Sequence, residues 1–204
     1  ARRLGLDGIP ATKVEAACAS GGVALRHGYL MVAFGVFDVV IVAGVEKMSA
    51  IPTGDITAAL ATAGDEGLEM RTGLTFPGAF AMIMQAHMEL YGTTRQQIAL
   101  VSVKNHANGV TNPKAQFQKP TDVDEVMSSR FVAEPLRLFD CPPISDGAAA
   151  VVVTTPSIAQ QLTDKAVRIV GSGQSSGPVA LTEMEDLTTF PATVRAASEA
   201  FNQA

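Results

Sequence analysis

The stretch Val14-Glu15-Ala16-Ala17-Cys18-Ala19-Ser20-Gly21-Gly22 concentrates the chemistry of this 204-residue chain. It sets a thiol between a short extended-looking run and the start of a long apolar helix. The first-turn amides and the dipole of such a helix favour thiolate over thiol. A thiolate so placed is a nucleophile for covalent catalysis. The paired glycines let a substrate come close to the backbone. From residue types alone, a buried and inert cysteine competes with this reading. Cys141 lies beside Pro142-Pro143 without an adjacent basic residue and reads as structural. Two cysteines so far apart, with no His/Cys cluster, give no metal-ligand spacing, so no metal site is expected. The Gly171-Ser172-Gly173-Gln174-Ser175-Ser176-Gly177 run follows a strand-like segment, but its spacing is not that of a dinucleotide loop.

The elements that must position these residues are legible in outline. Lys13 to Ala17 looks extended. Ser20 is a natural N-cap for a helix to about Phe34, with Gly35 as its C-cap. Val39-Val40-Ile41-Val42-Ala43 is a continuous β-branched run, the pattern of a strand covered on both faces. The first fifty residues therefore read as a parallel strand–helix–strand unit. Residues 49 to 75 are a long excursion broken by Pro52, Gly54, Gly64, Gly67 and Gly73. Helices are expected from about Gly78 to Tyr91, from the Thr94-Arg95-Gln96-Gln97 capping box to about Asn108, and over Asp122 to Ser129 with Asp122 as cap. Ala148 to Thr154 reads as a buried strand, Thr155-Pro156 as a helix start, Val167 to Val170 as a further strand, and Pro191 to Phe201 as a closing helix.

Composition excludes several classes. The chain is 47% hydrophobic and 17% charged, which is globular rather than disordered. A net charge of −5 without a basic block prepares no nucleic-acid surface. The most apolar stretch, Tyr29 to Val45, is interrupted by Asp38 and glycines, so no membrane span is expected. Two free thiols fit a reducing compartment, taken as the cytoplasm. The chain opens Ala1-Arg2-Arg3 with no apolar signal segment and no initiator Met, so it reads as beginning partway into a longer protein.

The Cys18 segment resembles the nucleophile segment of the thiolases. Ala43-Gly44-Val45-Glu46-Lys47-Met48-Ser49 is similar to the strand and loop that come after it in that family. Gly73-Leu74-Thr75-Phe76-Pro77-Gly78-Ala79, Lys104-Asn105-His106-Ala107-Asn108, Asn112-Pro113 and Ala115-Gln116-Phe117 resemble the subgroup of sterol-carrier-protein thiolases and archaeal acetyl-CoA acetyltransferases. Asp140-Cys141-Pro142 with Ser145-Asp146-Gly147-Ala148-Ala149-Ala150 is similar to the last strand of the family's N-terminal domain.

The resemblance implies an α/β, thiolase-like layered fold, incomplete here, with a mixed sheet, flanking helices and a helical insertion. It implies an N-terminal domain over 1–163, lacking its first strands and carrying the insertion at 50–135, and the start of a second domain over 164–204. It implies an acyl-CoA acyltransferase in which Cys18 carries the acyl group. In one direction two acetyl-CoA condense to acetoacetyl-CoA and CoA; in the other a 3-ketoacyl-CoA is cleaved. Phe76, Pro77, Gly78 and Met48 would touch substrate. No cofactor is implied, coenzyme A being substrate and product, and the partners are acyl-CoA thioesters and further copies in a homodimer or homotetramer. In such an oligomer Thr12 to Ala16 would pair with its own copy across a two-fold axis.

The family's activating histidine and second acid/base lie in a later part of its sequence. His27, His87 and His106 match neither motif. His27 and His87 read as core or interface residues and His106 as a helix-end residue. The alternatives are therefore a catalytically silent acyl-CoA-binding or scaffold module, or a related condensing enzyme.

Overall fold

The computed structural model describes residues 2–204. The chain divides into two compact units. One takes the chain up to Glu46, then Gly147–Ser175 and Arg195–Ala204; the other takes Lys47–Asp146 and Ser176–Val194.

In the first unit, helix α1 (Ser20–Ala33) leads to strand β1 (Val39–Glu46). The helix ends at Phe34, and Gly35 just beyond it takes φ +68°, a left-handed conformation that glycine adopts without a Cβ penalty. β1 pairs antiparallel with a strand from far along the chain, β4 (Gly147–Thr154), in a register running from Val39 opposite Thr154 to Glu46 opposite Gly147. α1 lies on one face of this pair, and Gly28 makes the approach possible: a Cβ there would fall 2.7 Å from Val42 Cγ2.

This corrects the parallel unit expected from the sequence. Lys13 to Ala17 is not a strand, and β1 finds its partner at β4 instead. Val167 to Val170 also forms no strand. A strand exists only as a hydrogen-bonded pair, and neither segment meets a second strand among the described residues. β1 and β4 are not covered on both faces either. Ile41, Val45 and Val152 are 56%, 75% and 59% exposed. Helix α6 (Pro156–Leu162) comes after β4 with proline at its first position, as expected.

The glycine-rich loop at 171–177 has a packing role. A Cβ on Gly171 or Gly173 would collide with the carbonyl oxygens of Ala200 or Ala196 on α7 (Pro191–Gln203). Arg26 of α1 reaches the Ser172 carbonyl and pairs with Glu199 at 3.4 Å. Backbone against backbone at this distance requires the missing side chains.

The second unit is mainly helical: α2 (Thr53–Ala61), α3 (Phe76–Tyr91), α4 (Arg95–Val110), α5 (Val123–Ser128) and a small hairpin, β2 (Phe131–Ala133) with β3 (Leu136–Arg137). Thr94 and Gln97 form the expected capping box, and Asp122 caps α5 by accepting from the Glu125 amide at 2.8 Å. α2 and the hairpin lie in segments whose glycines and prolines hid them from periodicity. The buried apolar residues Ile56, Ala79, Ala81, Met84, Ala99, Val126 and Ala180 all belong to this unit. An ion pair between Arg95 and Asp140 at 2.8 Å ties the start of α4 to the segment after the hairpin. No helix among the described residues is long and apolar enough to cross a membrane.

Candidate active site

Cys18 sits in a single 3-10 turn, Ala17–Ala19, that runs directly into α1. Its side chain is exposed. Ala19 occupies the N-cap position, and Ser20, expected there, is the first helical residue. The correction comes from the bonding of the Ser20 hydroxyl. It reaches backwards, accepting from the Ala16 amide at 2.8 Å and lying 2.7 Å from the Ala17 carbonyl.

Ala17 takes φ +47°, a left-handed conformation that costs a non-glycine residue about 1–2 kcal/mol. The turn is held by a short local network. Glu15 Oε1 accepts from the Ala17 amide at 2.7 Å and lies 3.1 Å from Ser20 Oγ. Those donors hold the Glu15 carboxyl below its ordinary pKa, the Ala17 amide contributing most and the Ser20 hydroxyl next. The Ala19 amide donates to Ala16 and the Ser20 amide to Ala17. None of these bonds uses the amide of Cys18, which leaves it available to an oxygen developing charge beside the sulfur.

Cys141 is a different thiol. It is half-buried, and burial, followed by the neighbouring Asp140, pushes it above its ordinary pKa. That suits the structural role expected of it.

The histidines sit apart from the Cys18 turn in their interactions. His27 is exposed on α1, not in the core. His87 is also exposed; its Nδ1 lies 3.0 Å from Thr93 Oγ1 and its ring tilts against Tyr91. Neither lies in the core: the helices turn Gly28 on α1 and Ala79, Ala81 and Met84 on α3 inward instead. His106, three-quarters along α4, places Nδ1 3.1 Å from the Lys119 carbonyl, with its ring between Phe117 and Phe139.

The remaining candidates lie in the second unit. Phe76, Pro77 and Gly78 stay together as the first turn of α3, half-buried, where Thr75 caps the helix by accepting from the Gly78 amide at 3.3 Å. Gly78 borders an open groove of about 500 Å³ with Ala81, Met82, Gln85 and Glu134; Phe76, Pro77 and Met48 do not line it.

Met48 belongs to a second carboxylate-built turn. Asp146 accepts from the Met48 and Ser49 amides at 2.8 Å each, from Ser49 Oγ at 2.6 Å, and from Lys47 Nζ. These bonds, Lys47 first, hold its carboxyl far below the usual aspartate range. Asp146 thereby fastens the two ends of the 47–146 segment to each other. The signal was present in the sequence, as Lys47-Met48-Ser49 and Ser145-Asp146-Gly147, but its meaning depends on the β1–β4 register, in which Lys47 and Asp146 lie just past the last pair. Among the described residues no group of three or more His, Cys, Asp or Glu side chains converges in a way that could hold a metal ion.

With an α/β framework and a thiol exposed at the start of α1 in place, comparison with known proteins is informative. Residues 1–157 match the family described as Thiolase, N-terminal domain. The chain belongs to the thiolase family. It is 52% identical over 204 residues to an acetyl-CoA acetyltransferase of Methanothermobacter thermautotrophicus, covering all of this chain and 53% of that protein. It is 42% identical to an acetyl-CoA acetyltransferase of Methanocaldococcus jannaschii, covering all of this chain and 52% of that one. Among solved structures, the Ltp2-ChsH2(DUF35) aldolase superposes with a TM-score of 0.75 at 29% identity, over 90% of this chain and 49% of that one. The chain thus spans about half the length of the curated relatives it matches.

Proposed function

We propose that this chain carries the nucleophile of an acetyl-CoA C-acetyltransferase of the 3-ketoacyl-CoA thiolase type, and that Cys18 is that nucleophile. The observation that carries the reading is an exposed thiol in the turn that opens α1, inside a family-matched segment. The Cys18 thiolate attacks the thioester carbonyl of an acyl-CoA. The tetrahedral oxyanion is stabilised by amides, the Cys18 N–H among them. Collapse expels coenzyme A as thiolate and leaves the acyl group on sulfur. A second acyl-CoA loses its α-proton to a base, and its carbanion displaces Cys18 from the acyl carbon to give the 3-ketoacyl-CoA. The reverse sequence is thiolytic cleavage. The chemistry so written needs the thiol, oriented amides and coenzyme A as substrate and product, with no further cofactor.

On the same reading Met48, Phe76, Pro77 and Gly78 contribute to acyl-CoA binding. Residues 1–163 form the N-terminal thiolase domain and 164–204 open the next. The active form is a homodimer or homotetramer in which Thr12 to Ala16 pairs with its copy, and it works in the reducing cytoplasm. A monomer in sedimentation of the active protein would contradict the oligomer.

A second reading, a silent acyl-CoA-binding or scaffold module, is favoured by one observation: the hydrogen-bond and ring partners found for His87 and His106 all lie elsewhere than the Cys18 turn. Brief incubation with labelled acetyl-CoA and then peptide mass spectrometry separates the two. Acetyl on Cys18, lost in Cys18→Ser, supports the transferase. Binding of acetyl-CoA without labelling supports the module, and label on any other residue overturns the assignment of Cys18.

A further inference from the structure

The turn that presents Cys18 contains an unfavourable backbone conformation, and its hydrogen bonds identify the groups that maintain it. Ala17 has φ +47°. A strained residue persists where its surroundings over-determine it. Here the amides of Ala16, Ala17, Ala19 and Ser20 are each engaged, by Ser20 Oγ, Glu15 Oε1, the Ala16 carbonyl and the Ala17 carbonyl respectively. Three of these acceptors are available to any sequence with a small polar residue at position 20. The fourth, on the strained residue itself, is the Glu15 carboxylate.

We infer that Glu15 is a positioning residue for Cys18. By accepting from the Ala17 amide it holds the left-handed turn that aims the thiol outwards and leaves the Cys18 amide unengaged. The inference rests on the reading of Cys18 as nucleophile and deepens it.

The sign of the charge argues for geometry as the role. A carboxylate near a thiol disfavours the thiolate, so Glu15 does not activate Cys18 by its field. Its usefulness lies in being a strong acceptor, since an ionised oxygen binds an amide more tightly than a neutral one. At neutral pH the Glu15 carboxyl is ionised, as an ordinary glutamate is. The other charge acting on it is Lys13. Geometry and charge therefore predict opposite outcomes when Glu15 is replaced, and two substitutions separate them. Glu15→Gln keeps an acceptor and removes the charge. Glu15→Ala removes both.

The test uses the 204-residue chain and reads iodoacetamide alkylation of Cys18 against pH, with peptide mass spectrometry to distinguish it from Cys141. Hydrogen exchange at the Ala17 amide is measured in parallel. Glu15→Gln is expected to retain the alkylation plateau, with its midpoint unchanged or moved to lower pH. Glu15→Ala is expected to move the midpoint above that of Glu15→Gln and to speed Ala17 exchange about fivefold to tenfold. Adding Ala17→Gly to Glu15→Ala should restore the profile, because glycine adopts a positive φ unaided. Coincident profiles for Glu15→Ala and Glu15→Gln, with unchanged exchange, would overturn the inference. Acetylation by labelled acetyl-CoA is scored separately. If Cys18 alkylates as expected but is never acetylated, the transferase reading fails while the positioning of the thiol by Glu15 stands.

Discussion

The two units of this chain differ in how completely they bury apolar side chains. In the segment from Lys47 to Asp146, with residues 176–194, Ile56, Ala81, Met84, Ala99 and Val126 are buried while Leu68, Phe80 and Leu90 are exposed, and a near-buried ion pair fastens Arg95 at the start of α4 to Asp140, just past the hairpin. The unit that carries Cys18 holds none of these buried apolar side chains. Its two strands are almost wholly apolar, yet Ile41, Val45, Val151 and Val152 face solvent, and among the described residues each strand pairs with one neighbour. Both units leave large apolar side chains exposed, but the apolar residues buried outright are in the second. Cys18 is in the first unit, and the buried apolar residues are in the second. Effects of substitution should divide the same way.

The largest expected effect is chemical and local. Cys18→Ser should lower acyl transfer by on the order of a thousandfold or more, because an alkoxide is far harder to form than a thiolate. Its thermal midpoint should stay within about 1 °C of the parent, as expected for an exposed side chain. A large loss of stability would break the comparison. Next comes Asp140→Ala in the second unit. The Asp140 side chain is 3% exposed, and its removal strands the Arg95 guanidinium, so urea unfolding should show a loss of about 3–5 kcal/mol.

Smaller, and a sharper comparison, is a matched pair of truncations. Val126 is 0% exposed, and Val126→Ala should cost about 2 kcal/mol. Ile41→Ala deletes more carbon from a residue that is already 56% exposed and should cost under about 1 kcal/mol. If Ile41→Ala proves the more damaging of the two, the sheet is covered in solution and the contrast between the units fails.

The smallest effect concerns Asp146. Its carboxyl is held far below the ordinary aspartate value by Lys47, Ser49 and Met48. A lowered folded-state pKa contributes stability that is present above the unfolded value, about pH 4, and is withdrawn as the solution is acidified towards the folded value. The difference in urea midpoint between the parent and Asp146→Asn should therefore be constant at neutral pH and shrink below about pH 4. A gap that widens on acidification would reverse the assigned sign.

Much of the local structure could be read directly. The capping box of α4, the Asp122 cap, the proline that opens α6 and the closing helix arise from side-chain hydrogen bonds and φ restrictions that act within a few residues. α2 was hidden because Pro52 before it, Gly54 within it and Gly64 after it resemble loop punctuation, although Pro52 is in fact the residue just before the helix. The strand runs at 39–43 and 148–154 were correctly located, and their partner and covering were not. A β-branched run signals a strand without saying which strand lies beside it. Cys18 was legible as chemistry, whereas Glu15 was not singled out, because its importance depends on the sign of φ at Ala17.

By itself the sequence determined most of the helices, where the Cys18 segment lies and that the chain is a thiolase relative, since caps, periodicity and motif spacing are local properties of a polymer. Only the tertiary structure decided that β1 runs against β4. That pairing brings Lys47 to Asp146 across 99 positions and leaves Ile41, Val45 and Val152 exposed. The physical reason is that a strand's edges and faces carry no address: their partners are chosen by the free energy of the whole fold.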